Sequence, residues 1–235
     1  MKRTPFIVLT TLLLAACSDS DNNNVTDTPT PPAPSASYQL TLTNLTYAQP
    51  MSPLAAYLHD GSVSAWTFGA PASVGIETLA ESGDGSLWLS DAEAAGAMIS
   101  ASGDGIIMPG AAQTISFTVA NENPLYLSMA TMLVNSNDAF AGAGALHLNL
   151  AIGESISGFA PVYDAGTEAN SELAATIPGP AGGGAGFDPS RDDVGDYVAR
   201  HGGIVGVDDG KTDSALSHQH RFDSPVARWS VTRTE

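Results

Sequence analysis

The stretch PVYDAGTEANSE, residues 161–172, places Asp164, Glu168 and Glu172 within nine residues. No Lys or Arg stands close to them in the chain: the nearest upstream is Arg3 and the nearest downstream is Arg191. A further acid, Asp138, follows the apolar run PLYLSMATMLV (124–134) in the segment NSNDAF (135–140). If the strands formed by 124–134 and 159–163 end at the same edge of a sheet, Asp138, Asp164 and Glu168 meet there. Carboxylates that converge raise one another's energy unless a cation sits among them. Hard oxygen donors on irregular loops suit calcium, which accepts about six to eight oxygens in flexible geometry. Asn135, Asn137 and backbone carbonyls are further oxygen donors for that shell; a set of solvated, unconnected acids is the alternative reading of the same residues.

A second constellation lies near the C-terminus. SHQHRFD (217–223) spaces His218 and His220 two apart, which on a strand puts both on one face. With His201 and one of Asp208, Asp209 or Asp213, this is a zinc or copper donor set, and it carries the alternative reading of a metal-dependent hydrolase. Solvated histidines on a polar loop give the same pattern. No other catalytic signature is present: there is no G-x-S-x-G, P-loop, H-E-x-x-H or C-x-x-C. The run GPAGGGAG (179–186) follows no clear strand and opens no helix, so it reads as loop and not as a phosphate cradle. His59 and His147 fall in strand patterns and read as structural. The chain is expected not to be an enzyme, with the hydrolase kept as the alternative.

The elements that must position these residues are mostly strands. YQLTLTNLTY (38–47), PLAAYLHD (53–60), QTISFTVA (113–120), PLYLSMATMLV (124–134), ALHLNLA (145–151), FAPVY (159–163) and PVARWSVTRTE (225–235) read as strands, several of them alternating apolar and polar residues. ASVGIETLAESGD (72–84) has helical spacing and a glycine stop. LWLSDAEAAGAMI (87–99) suggests a second helical turn, with Ser90 as N-cap and Glu93 three residues on. The expected fold is mainly β: an antiparallel sandwich with one or two short helices.

The ends and the charge set the setting. Lys2 and Arg3 precede the apolar run PFIVLTTLLLAA (5–16), which is too short for a stable membrane span. It closes in LAAC (14–17), which resembles a bacterial lipobox, and Cys17 is the chain's one cysteine. Residues 1–16 are expected to be a lipoprotein signal peptide, with the lipid carried on Cys17. Residues 17–37, rich in Asp, Asn, Thr and Pro, read as a tether, and 38–235 as the folded domain. The expected location is the bacterial cell envelope, outside the cytoplasm, with Ser18 hinting at the outer membrane. Eight basic against 25 acidic residues give a net charge of −17, which argues against nucleic acid as a partner.

Four blocks carry a resemblance. ASVGIETLAESGD (72–84), ATMLVNSNDAF (130–140), VYDAGTEANSE (162–172) with TIP (176–178), and PVARWSVTR (225–233) resemble, in order, signature blocks of the spondin domain family. The resemblance implies a sandwich like that of C2 domains and a calcium ion held by Asp138, Asp164 and Glu168. The family's adhesion roles depend on partner surfaces that these blocks do not cover; a binding or adhesion module is expected here from the clustered acids and the tether. Tyr163 stands where animal members have Trp, Glu168 stands where they have Asp, and the domain lacks their cysteines. A purely structural envelope protein is the remaining alternative.

Overall fold

The computed structural model describes residues 34–120, 124–190 and 195–235. The expected signal peptide, Cys17 and nearly all of the expected tether lie outside the described residues. The chain runs β1 (Ser35–Asn44), β2 (Ala55–His59), α1 (Val74–Ser82), α2 (Ser86–Ala94), β3 (Ile99–Ser102), β4 (Ala112–Ala120), β5 (Tyr126–Met132), β6 (Ala139–His147), β7 (Ser155–Ala160), β8 (Val162–Asp164), β9 (Ala199–Arg200) and β10 (Ala227–Arg233). Two antiparallel sheets result. One has the order β4-β1-β10-β7, the other β3-β2-β5-β6-β8-β9. This is the expected antiparallel sandwich with two short helices.

Alternation in β1 explains the first sheet. Ala36, Tyr38, Leu40 and Leu42 turn inward and are buried, while the Ser, Gln and Thr between them face out. The second sheet is buried on both faces. In β2 all five residues are buried, because Ala56 and Leu58 join the core between the sheets while Ala55 and Tyr57 meet the helices on the other side. That double burial is why AAYLH lacks a polar face.

Local chemistry fixes the helices. Ser73 caps α1, its hydroxyl accepting from the N–H of Ile76 at 3.2 Å, and Gly83 ends it with φ 76°. Ile76, Leu79 and Ala80 supply its buried stripe. The second helix starts earlier than the sequence suggested. Asp84 Oδ1 accepts from the N–H of Ser86 at 2.9 Å, so α2 begins at Ser86 and Ser90 lies inside it.

Three other expectations shift. The first strand takes in residues 35–37, which had been read as tether. The strand expected at 145–151 runs instead from Ala139 to His147, starting directly after Asp138. FAPVY is not one strand: Phe159 and Ala160 end β7 in the four-stranded sheet, and Val162 and Tyr163 open β8 in the six-stranded one. Pro161, which has no N–H to give a ladder, stands at the crossing. Among the described residues no helix is long and apolar enough to cross a membrane.

Candidate metal centre

Both β5 and β8 pair antiparallel with β6, so their C-terminal ends lie at the same edge. Asp138 closes the β5–β6 loop, and Asp164 pairs in register with the next residue, Ala139. On the other side of β8, Asp164 pairs with Ala199, and His201 follows two residues later. Asp164 shares the strand face of Val162, which lies in the core between the sheets. The three side chains therefore meet at one end of the sandwich. One donor atom from each of Asp138, Asp164 and His201 lies within 4.8 Å of the others.

Much of the charge in this region is met by backbone and amide donors. Asp138 Oδ2 accepts from the N–H groups of Thr167 at 2.9 Å and Glu168 at 3.2 Å. Asp164 Oδ1 accepts from Gly166 N–H at 2.9 Å, and its Oδ2 from Asn170 Nδ2 at 2.7 Å. Gly166 has φ 72°, and a Cβ there would stand 2.4 Å from the Tyr197 carbonyl oxygen, so the D-A-G turn needs glycine for both reasons. Glu172 is buried and accepts from Val205 N–H through Oε1 at 3.1 Å. Burial pushes its carboxyl above the ordinary carboxylate range, with Lys211 pulling the other way.

Glu168, expected as a ligand, is tied to the site through both its backbone and its side chain. Its N–H holds Asp138, while its carboxylate accepts from Asn137 Nδ2 at 3.3 Å, and it stands outside the group formed by Asp138, Asp164 and His201. Asn137 is a brace: Nδ2 also donates to Thr176 Oγ1 at 2.8 Å, and Oδ1 accepts from Glu172 N–H at 3.1 Å. Asn135 turns to Ala48 and Ala181. Both asparagines fix loops around the site.

His201 enters from the other expected cluster. It is 9% exposed, and its Nδ1 accepts from Gly203 N–H at 3.0 Å. That bond leaves the neutral ring's proton on Nε2, a buried N–H without a hydrogen-bond partner. Burial holds the ring below the ordinary histidine pKa, with Asp164 opposing. His218 is exposed and pairs with Asp208 at 3.2 Å, while His220 is buried and accepts at Nδ1 from Ser217 N–H at 3.1 Å. Asp209 instead pairs with Arg221, and Asp213 with Lys211. The three histidines do not form a metal-binding group among the described residues.

Sequence reasoning missed one neighbour. Glu81 of α1 is buried and accepts from Asp188 N–H at 2.9 Å. The buried Thr167 hydroxyl lies between the Glu81 carboxyl and Asp138 Oδ2, the latter 3.5 Å away. Burial raises the Glu81 carboxyl pKa. Glu81 and Glu77 stand four apart on the helix, and that spacing was the available signal.

The donor types decide what this arrangement can hold. Zinc and copper use the imidazole lone pair. With Nδ1 accepting from Gly203 N–H, the ring nitrogen left for an ion is Nε2, which would have to give up its proton to bind one. The group thus offers two carboxylates, which suit a hard cation, and one imidazole, which suits zinc or copper. No protein-family model matches this chain, and a search of the curated proteins finds no match.

Proposed function

We propose that this chain is a lipid-anchored, extracytoplasmic binding module of spondin type, in which a divalent cation, calcium by its chemistry, fastens the loops at one end of the sandwich. The observation that carries this reading is the convergence of Asp138, Asp164 and His201 within 4.8 Å. Asp138 and Asp164 would hold the ion, with further oxygens from backbone or water. The ion would supply positive charge, and the 164–176 loop would gain rigidity for a partner to meet. The spondin assignment rests on the four sequence blocks, and the anchor rests on the LAAC motif.

The test is a thermal melt of the full chain at neutral pH, with excess calcium and with EGTA. An ion that binds only the folded state stabilises it by about 2.7 kcal/mol at a hundred times its dissociation constant. For a protein of this size that raises Tm by about 5–10 °C. The shift should vanish in Asp164→Asn and persist in His218→Ala. A melt indifferent to both calcium and EGTA, with no calcium in elemental analysis, would leave a structural protein and overturn the reading. Zinc or copper in that analysis, with loss on His218→Ala, would favour the hydrolase alternative.

A further inference from the structure

The outer face of the four-stranded sheet is built differently from the rest of the surface. Its outward positions read TLT (41–43), TISFT (114–118), SIS (155–157) and SVT (230–232), with hydroxyls at alternate residues of all four strands. Register aligns them into rows. Thr114, Thr41, Ser230 and Ser157 form one row across the sheet, and Ser116, Gln39, Thr232 and Ser155 form the next. Within a row the spacing is about 4.8 Å, and between rows about 6.6 Å. Mutual bonds already orient several hydroxyls: Thr41 to Thr114 at 2.8 Å and Ser155 to Thr232 at 2.7 Å.

The charge on this face is equally distinctive. None of the 25 acidic residues lies in these four strands, although the chain carries −17 overall, and the carboxylate of Glu235 meets the face only at its margin, accepting from Ser37 Oγ at 3.0 Å. At one corner Arg228 pairs across strands with Phe159, whose ring is 60% exposed.

We propose that this face binds a neutral, linear polysaccharide laid across the strands. A protein partner would need an apolar centre, which the face lacks. A lipid surface would need the same, or a basic patch. A nucleic acid would need several phosphate contacts, and Arg228 is the one cation facing out. A chain of uncharged hydroxyls matches donors and acceptors at a regular repeat, and the Phe159 ring offers a flat apolar surface to one sugar face. The strong negative charge of the rest of the molecule turns away acidic polymers.

The experiment is co-sedimentation of the purified full chain with insoluble cellulose and with curdlan. Heparin beads, alginate gel and anionic phospholipid vesicles serve as comparators. Retention on at least one neutral glucan is expected, at least tenfold weaker for Thr114→Glu/Ser157→Glu and weaker also for Phe159→Ala. His218→Ala, outside both the cation site and this face, should bind as the wild type does, and retention should be the same with calcium as with EGTA, so the outcome is separate from that of the cation site. All three variants are checked by their thermal melts. Retention on neither glucan would overturn the proposal. So would retention unchanged in both face variants, or retention confined to heparin, alginate or vesicles.

Discussion

The two sheets solve opposite problems. The six-stranded sheet is covered on both faces, by the other sheet and by α1 and α2, and its edge presents Asp138, Asp164 and His201. The four-stranded sheet is covered on one face only, and its strands contribute no carboxylate to the open face, where Glu235 reaches only the margin at Ser37. Groups whose protonation burial disturbs gather on the first side: Tyr57 and His59 on β2, Tyr163 on β8, Glu81 on α1. The difference shows where this molecule places charge that must be held by the fold. Acids stand at loop ends where backbone N–H groups converge, and the exposed sheet face relies on neutral hydroxyls.

The comparison can be broken first by volume. Phe140 is fully buried, with the Trp66 and Tyr163 rings at 5.1 and 5.2 Å. Phe140→Ala should destabilise the protein by about 3–5 kcal/mol, and the melting temperature should fall by more than about 6 °C. A smaller fall would mean that the layer between sheet and helices is loosely packed.

A titration sharpens it at intermediate size. His59 is buried, its Nδ1 accepts from Gly61 N–H at 3.1 Å, and its Nε2 meets Ser128 Oγ at 3.1 Å. Burial lowers its pKa below 6.5, with Asp60 opposing. The unfolded chain therefore takes up the proton first. The stability His59 contributes is fully present above pH 6.5 and is lost as pH falls from there through the folded value. Melts at pH 7.5 and 5.5 should show a drop that is smaller in His59→Gln. An equal drop in both proteins would assign the effect to another group.

The smallest effect belongs to the open face. Ser116→Ala should change stability by less than about 0.5 kcal/mol, since the side chain is exposed. A larger loss, read in the same melts, would mean that the hydroxyl rows hold the sheet together as well as facing outward.

Much of this fold was legible because alternation reports burial directly. The strands β1, β4 and β10 have one wet face, and their pattern shows it. The strands β3 and β9 escaped, being four and two residues long with little apolar content to mark them. At the site, Asp138 and Asp164 were readable as acids at strand ends. His201 was assigned to the wrong company: its partners are set by the β8–β9 pairing, and nothing local in the sequence announces a two-residue strand. Glu168, expected as a ligand, sits where local pattern alone does not show which of its groups turns inward. Residue type shows a carboxylate, while the turn makes its N–H the group that faces Asp138.

The pairing of β1 with β10 has a consequence in time. Tyr38 lies opposite Arg233, so the two central strands of the four-stranded sheet are the first and last strands among the described residues. A chain made from its N-terminus cannot complete that sheet until residues 227–233 are available, and closing so long a loop is slow. The Ser/Thr strands must wait, unpaired at their centre, for ARWSVTR to arrive.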